Sequence, residues 1–214
     1  MNTVIRETEP EAKVDFILKA AQKRLGLYGY DKTTMQEIAD DISMSKAAVY
    51  YYFPDKESLF KAVIENEQEE YFQLIDQRMA EISDADIMIG DLVEQRHMLF
   101  RKLLNLSKFR LSDNHKVKPL LIGLYNKLRE KETDILASIL SKGKESGIFY
   151  YDDATEMATL FSDILQGLRI MEMKRVQSFE MTAEENNRML KMLREATTLF
   201  INGLKYNKLQ QPNQ

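Results

Sequence analysis

The 214-residue chain contains no cysteine, eight glycines, four prolines and no long apolar run. Without cysteine it has no disulfide framework, no thiolate metal site and no cysteine nucleophile. No stretch approaches the roughly 18 apolar residues that a membrane-spanning helix needs, and the polar N-terminal segment has no signal-peptide core. There is also no Gly-rich phosphate-binding loop. We therefore expect a cytoplasmic protein with no membrane partner, no metal and no cofactor.

The residues that are abundant favour helices. Leu, Glu, Lys, Met and Ala dominate, and 44% of residues are hydrophobic while 30% are charged. This composition is typical of a soluble globular protein rich in helix formers. The length is sufficient for one large domain or two modest ones. The composition predicts an all-α fold.

The charge balance does not indicate a strongly basic nucleic-acid surface. The net charge is −4, and residues 1–60 hold eight Lys and Arg against ten Asp and Glu, a balance of −2. A DNA-binding face in this segment would therefore require Lys32, Lys46 and Lys56 to lie on one side. Backbone N–H groups at helix N-termini and Thr, Ser and Tyr hydroxyls would add uncharged donors.

Residues 33–60 predict two very short helices with a tight turn between them. Thr34 and Glu37 form a capping box at the start of the first helix. Ser45 can cap a second helix over Lys46–Tyr52, which Pro54 ends because proline lacks an N–H. Asp55 can cap a third, longer helix. Such a pair of short helices forms a helix-turn-helix, whose second helix fits the major groove.

The second short helix carries side chains that suit DNA. They are hydroxyls, one cation and aromatic faces: Ser45, Lys46, Ala48, Tyr50, Tyr51 and Tyr52. Three consecutive tyrosines cannot all lie in the core, because successive helical residues point about 100° apart. The alternative is that one tyrosine is core and the other two are ordinary, partly exposed aromatics.

Residues 29–63 resemble the N-terminal DNA-binding domain of the TetR-type transcriptional repressors. The family pattern is met in order and spacing by Gly29-Tyr30, Thr33-Thr34, Ile38-Ala39, Ser45, Tyr50, Phe53 and Lys56-Glu57. The match extends from Val14 to Ile64, and the remainder is similar only in layout. The family often has Ala-Gly where this chain has Ile42-Ser43, and glycine where it has Ala47. Ser43 is therefore expected in a turn conformation that glycine reaches more easily.

The resemblance implies a homodimeric DNA-binding regulator, most simply a repressor. Its parts would be a helix-turn-helix domain over 1–55, a linking helix over 56–80 and a ligand-binding and dimerisation domain over 81–208. The expected DNA contacts are Thr33, Thr34 and Lys56 to phosphates, Lys46, Ala48 and Tyr51 to base edges, and Ser45 and Tyr50 to either. A small effector would favour a conformer whose two recognition helices no longer match successive major grooves.

The C-terminal part of the chain predicts four helices, over 86–109, 119–146, 154–175 and 182–206. The last two are apolar over more than one stripe, which indicates a second protein surface. The resemblance implies that they pair with their symmetry mates in a four-helix dimer interface. The predicted interface residues are Phe161, Leu165, Gly167, Leu168, Met189, Leu193, Ala196 and Phe200. The alternative is that other helices of the same chain cover these residues.

The effector cannot be identified from the sequence. The Met-rich and aromatic interior of the C-terminal domain suits a hydrophobic or planar molecule, although such stripes are also typical of plain core. The predicted ligand contacts are Arg96, His97, Phe100, Leu104, Tyr125, Phe161 and Gln166.

Two rival functions remain at this stage. Glu94 and His97 form a Glu-x-x-His pair of the kind found in di-iron helical bundles, but such a site needs a second pair and two more carboxylates. The other histidine, His115, lacks that context, so an enzyme built on Glu94 and His97 has little support. The second rival is a protein-interaction adaptor that has lost DNA binding, which the acidic N-terminal segment allows.

Overall fold

The computed structural model describes residues 9–102, 117–175 and 181–206, and the regular elements in these residues are helices. The helices are α1 (Glu9–Tyr28), α2 (Met35–Asp41), α3 (Lys46–Tyr52), α4 (Lys56–Glu81), α5 (Ala85–Lys102), α6 (Lys118–Glu145), α7 (Ala154–Arg175) and α8 (Ala183–Tyr206). The predicted all-α fold is confirmed, and α3 has the predicted bounds. The predicted helix end at Phe109, the loop containing His115 and both chain ends lie outside the described residues.

The described residues divide into two compact units. The first contains residues 9–70 and 117–124, and the second contains residues 71–102, 125–175 and 181–206. The helix-turn-helix pair therefore lies in the first unit, whereas α7 and α8 lie in the second.

The first unit is built on one apolar stripe of α1. Ile17, Leu18, Ala21 and Leu25 are buried, as their helical spacing predicts. Helix α1 packs on α2, and α2 packs on α3. The shared core also contains Ile38, Val49, Phe53, Leu59, Phe60, Leu121 and Leu124. Burying one face of each short helix is what holds the pair in place, because helices of seven residues are unstable alone.

Local caps fix where the short helices begin. The Thr34 N–H donates to Glu37 Oε2 at 2.8 Å, and the Glu37 N–H donates to Thr34 Oγ1 at 3.3 Å. The Ser58 N–H donates to Asp55 Oδ1 at 2.6 Å at the start of α4. Gly29, with φ of 79°, ends α1 through its N–H bond to the Leu25 carbonyl. The caps at Thr34 and Asp55 were predicted from the sequence and are confirmed.

The turn between α2 and α3 places a serine in the left-handed region. Ser43 has φ of 54° and is the one non-glycine residue at positive φ in the described ranges. The turn is closed by N–H groups of Ser43 and Met44, which donate to the carbonyls of Asp40 and Ala39. The prediction for Ser43 is thus confirmed, and the strain follows from crowding between its Cβ and the backbone.

Ser43→Gly is expected to raise the free energy of unfolding by about 1 kcal/mol, because glycine adopts positive φ without the Cβ penalty. Chemical denaturation followed by circular dichroism measures the change. Ser83→Gly is the control, since Ser83 is also an exposed turn residue but does not have positive φ. If the free energy of unfolding of Ser43→Gly rises no more than that of Ser83→Gly, or falls, the turn is not strained.

The second unit packs α8 against both α5 and α7. A second capping box, Thr182 with Glu185, starts α8. Phe161 of α7 stacks on Phe200 of α8, with ring centroids 4.1 Å apart and planes within 8°. The buried residues include Ile89, Leu92, Leu136, Ile139, Leu140, Phe161, Leu165, Met189, Leu193 and Leu204.

Four residues assigned to the dimer interface lie in this core. Phe161, Leu165, Met189 and Leu193 are at most 5% exposed within a single chain. Their place in the predicted interface is therefore wrong, because side chains already covered by their own chain leave almost nothing to bury on association. Helical periodicity identified apolar faces, but it did not show which face the other helices of the chain cover.

Candidate nucleic-acid interface and effector cavity

Helix α3 presents a polar and aromatic face to solvent. Its N-cap Ser45 accepts a hydrogen bond from the Ala48 N–H at 3.1 Å, and Val49 is buried beneath it. With Val49 anchored, Tyr51 is 83% exposed and Tyr50 is 40% exposed. These side chains can donate and accept hydrogen bonds and offer aromatic contact area, which are properties used in reading base edges.

Lys46 supplies the positive charge on this face. It is exposed at the first position of α3, and its Nζ lies 5.7 Å from the centroid of the Tyr50 ring. Ala48 is partly buried and presents only a methyl group. The structure thus brings Ser45, Lys46, Tyr50 and Tyr51 to one short helix, while their contacts with DNA stay a prediction.

Arg24 pairs with two acidic residues of α2, Glu37 and Asp41. Its Nε and Nη2 donate to both carboxylate oxygens of Asp41, at 2.6 and 3.0 Å, and its Nη1 lies 3.2 Å from Glu37 Oε1. The hydrogen bond from Arg24 keeps the pKa of Asp41 below its ordinary value. Pairing of this kind is how an acidic segment can still present a locally uncharged or basic surface, as the sequence required.

The structure contradicts the role predicted for the Thr33 side chain. Thr33 is 0% exposed, and its hydroxyl donates to the Gly29 carbonyl at 2.8 Å. A buried hydroxyl that is already engaged cannot reach a phosphate. Thr34, the next residue, is exposed at the N-terminus of α2, and its hydroxyl donates to Glu37 Oε2 at 2.8 Å, so its phosphate contact stays a prediction. Two adjacent threonines therefore have different environments, because only Thr34 occupies the cap.

Lys56 is engaged within the first unit. Its Nζ donates to the carbonyls of Tyr30 at 2.9 Å and Thr33 at 3.0 Å, and it lies 4.1 Å from the Tyr30 ring centroid. Partial burial lowers the pKa of its ammonium group. Two of its three N–H donors are used to hold the connection between α1 and α2. Its predicted phosphate contact would have to use the remaining donor.

Lys56→Met is expected to lower the free energy of unfolding by about 2 kcal/mol, because hydrogen bonds from a charged donor contribute about 1.5–3 kcal/mol. Methionine retains the apolar stem but leaves both carbonyls without this donor. Lys46→Met is the matched control, since Lys46 is exposed and such surface changes stay within about 0.5 kcal/mol. Equal denaturation midpoints for the two variants would remove the structural role of Lys56.

A cavity lies among α5, α6 and α7 in the second unit. It encloses about 40 Å³ in this conformation, which is room for roughly three water molecules. Its lining residues are Leu92, Val93, Arg96, Tyr125, Arg129, Glu132, Leu136, Phe161, Ser162, Leu165, Gln166 and Arg169. The lining thus combines apolar side chains with three arginines and one carboxylate.

Glu132 organises one side of this cavity. The Tyr71 hydroxyl donates to Glu132 Oε1 at 2.7 Å, and Arg96 Nε lies 3.1 Å from the same oxygen. Burial raises the pKa of Tyr71, so this hydroxyl stays protonated and acts as a donor. Arg96 also lies over the Tyr125 ring, 5.7 Å from its centroid. Four residues from three helices are thereby fixed around the cavity.

The cavity contains some of the predicted ligand contacts and omits others. Arg96, Tyr125, Phe161 and Gln166 all line it, and their role in binding stays a prediction. His97 does not line it. The side chain of Phe100 and the whole of Leu104 lie outside the described residues.

Sequence reasoning missed Arg129, Glu132 and Arg169. A signal for Arg169 was available: it follows Phe161 and Leu165 at i+8 and i+4, so a charged residue occupies the apolar stripe of α7. A comparable signal marked Glu132, which lies four residues after Leu128 and four before Leu136 in the buried apolar stripe of α6. Arg129 lies outside that stripe, and no such signal marked it.

His97 and Glu94 do not form the arrangement that an enzyme would need. Glu94 accepts a hydrogen bond from Arg194 Nε at 2.7 Å. His97 is buried, and burial, followed by the positive charge of Arg169, lowers its pKa to about 4. Its imidazole is therefore neutral at physiological pH. Within the described ranges we find no group of three metal-ligating side chains.

Comparison with known proteins gives a consistent result. Residues 17–63 match the family model described as bacterial regulatory proteins, tetR family. An HTH-type transcriptional repressor of Mycobacterium tuberculosis, Rv1474c, is 34% identical over 74 residues, which is 35% of either chain. The HTH-type transcriptional regulator YvkB of Bacillus subtilis is 23% identical over 193 residues, covering 88% of this chain and 95% of its own. The alignment with the first of these relatives thus spans about a third of that protein.

Similarity to a solved structure extends over nearly the whole chain. The crystal structure of a transcriptional regulator from Cytophaga hutchinsonii aligns with a TM-score of 0.82 and 34% sequence identity. The alignment covers 91% of this chain and 99% of that one. None of the helices in the described residues is long and apolar enough to cross a membrane.

Proposed function

Because this chain belongs to the tetR family of bacterial regulatory proteins, we propose that it is a homodimeric repressor that binds operator DNA in the cytoplasm. The exposed face of α3 carries this proposal: Lys46, Tyr50 and Tyr51 stand on a capped helix within the segment that matches the family. Lys46 and Tyr51 would contact base edges, with Ala48 against a thymine methyl group. Thr34 and Ser45 would contact phosphates.

The experiment is a fluorescence anisotropy titration with the DNA upstream of the chain's own gene and with a scrambled duplex of equal length. Both duplexes are measured at about 50 mM and about 200 mM salt, because phosphate contacts weaken steeply over this range. Specific binding is expected to be at least roughly 10³-fold tighter than binding to the scrambled duplex. Equal affinity for both duplexes at each salt concentration would contradict the proposal and favour the adaptor hypothesis.

We place the dimer interface on the outward faces of α7 and α8. Leu160, Ile164, Gly167 and Met171 follow one another at i, i+4, i+7 and i+11 on α7, and all four are exposed. On α8, Leu199 is 74% exposed. A continuous apolar stripe of this kind is typical of helices that bury it against a partner. In functional terms the chain would divide into a DNA-binding domain over 1–55, a linking helix over 56–80 and a ligand-binding and dimerisation domain over 81–208.

Release from DNA would follow from ligand binding in the cavity of the second unit. A ligand can shift the conformational equilibrium only by as much as it binds one conformer better than the other. Operator DNA must then weaken the ligand by the same factor as the ligand weakens DNA, typically 5- to 150-fold. Nothing in this mechanism requires catalysis, and we propose no enzymatic activity.

A further inference from the structure

Arg169 carries a buried charge that receives a favourable charge from Glu132 but has two nitrogens without a hydrogen-bond partner. Its Nε and Nη2 are fully buried and have no hydrogen-bond partner among the described residues. Burial lowers the pKa of its guanidinium to about 10, so the group is still charged at physiological pH. A buried charge without a partner is unfavourable by several kcal/mol. Proteins retain such a group where something else supplies the counter-charge.

The carboxylate that lines the cavity and the one that pairs with Arg129 are both engaged. Glu132 accepts the Tyr71 hydroxyl and pairs with Arg96. Asp163 pairs with Arg129, at 2.9 Å. The lining of the cavity therefore holds three arginines against one carboxylate, and the excess is concentrated at Arg169.

The amide that could have compensated is also occupied. Gln166 lines the same cavity, but its Oε1 accepts a hydrogen bond from Arg129 Nη1 at 3.1 Å. Five of the lining side chains are apolar: Leu92, Val93, Leu136, Phe161 and Leu165.

We propose that this cavity binds an organic monocarboxylate, with the carboxylate on Arg169 and an apolar body against Leu92, Leu136, Phe161 and Leu165. The guanidinium presents parallel N–H donors whose geometry matches the two oxygens of a carboxylate. The single negative charge of a carboxylate balances the positive charge of Arg169, whereas a phosphate dianion would leave an excess of negative charge in the cavity. An apolar tail replaces contacts that the small cavity offers only to water, provided that the apolar side chains lining it move apart.

The same arrangement determines what the cavity rejects. A neutral amide of the same shape fills the apolar region but leaves Arg169 without a counter-charge. A cationic ligand meets the field of three arginines and is disfavoured further. Discrimination between a carboxylate and its matching amide is therefore the most direct signature of the site. A role for this ligand as an effector rests on the proposed function, whereas binding of the carboxylate depends only on Arg169.

The test uses the full-length protein and three pairs of probes: benzoate with benzamide, hexanoate with hexanamide, and octanoate with octanamide. Thermal unfolding is followed at increasing probe concentration for the wild type, Arg169→Met and Arg129→Met. We expect at least one carboxylate to raise the melting temperature of the wild type in a saturable manner, with no such effect from its amide. Arg129→Met is the matched control, because Arg129 lines the same cavity but already has Asp163 as a partner.

Arg169→Met is expected to raise the dissociation constant of that carboxylate by about 10- to 150-fold, which is the loss of one or more charge-assisted hydrogen bonds. In the absence of any probe it should melt no lower than the wild type, because it removes an unpaired buried charge. Arg129→Met should keep the response. The proposal is overturned if no carboxylate acts, if amides act equally, if Arg169→Met responds like the wild type, or if Arg169→Met fails to fold.

DNA binding is measured separately on the same preparations, so the two proposals can fail independently. A carboxylate response without specific DNA binding would keep the site and remove the regulatory function. Specific DNA binding without a carboxylate response would keep the regulator and remove this ligand class.

Discussion

Replacing Tyr51 by alanine is expected to weaken binding to the cognate operator by roughly 5- to 150-fold, which corresponds to the 1–3 kcal/mol of a good base contact. Tyr51 is 83% exposed and lies two residues after the buried Val49, nearly on the opposite side of the helix, so its ring projects away from the core. Binding to scrambled DNA should change little, and the slope of log K against log salt should stay nearly constant, because no phosphate contact is lost.

Two further variants separate the possible causes of this effect. Tyr51→Phe retains the ring and removes the hydroxyl, so it divides aromatic contact from hydrogen bonding. Tyr28→Ala is the control: Tyr28 is also an exposed tyrosine, but it lies on α1, outside the exposed face of α3. This variant should leave operator affinity unchanged. Tyr51 also meets Tyr52 edge-on at 5.2 Å, and the melting temperature reveals whether losing this contact affects the fold. Equal loss on cognate and scrambled DNA would contradict base-edge contact.

Gly167→Arg is expected to convert the dimer into a monomer. Within one chain the substitution is tolerated, because a Cβ at Gly167 meets nothing within 4 Å. In the proposed dimer the same position lies between Ile164 and Met171 on the apolar stripe of α7, where an unpaired buried charge is unfavourable by several kcal/mol. Light scattering coupled to size-exclusion chromatography should show the mass of a single 25.0 kDa chain.

Gly123→Arg provides the control for this experiment. Gly123 is also an exposed helical glycine with open space at its Cβ, but it lies on α6, outside the proposed interface. It should remain dimeric. Circular dichroism on both variants checks that each chain is still folded. A dimer that survives Gly167→Arg would place the interface elsewhere on the chain.

The features that sequence predicted well are those decided by neighbouring residues. The capping box at Thr34 depends on side chains three residues apart, and the positive φ of Ser43 was expected because the family often has glycine at this position of the turn. These arrangements require no knowledge of distant parts of the chain. The bounds of α3 follow in the same way, from Ser45 before it and Pro54 after it.

The features that sequence missed depend on how elements pack. The burial of Thr33 depends on residues that are its neighbours in space. The Lys56 ammonium donates to two carbonyls that lie 23 and 26 residues earlier in the chain, rather than pointing freely into solvent. Apolar periodicity marked α7 correctly, but it could not tell which of its stripes is covered by the same chain. Arg169 lies in the buried stripe of α7 with Phe161 and Leu165. Its lack of a hydrogen-bond partner depends on how α5 and α6 pack around it, which the sequence does not show.

A footprint of the wild-type protein on the DNA upstream of its gene tests the central claim most directly. A homodimer that presents α3 from each chain should protect two half-sites related by an inverted repeat. Their centres should lie about 10–10.5 base pairs apart, or a multiple of this distance, because two recognition helices must enter successive major grooves on one face of the duplex. Tyr51→Ala should weaken protection of both half-sites together. A single protected half-site, or protection that does not depend on sequence, would contradict the account.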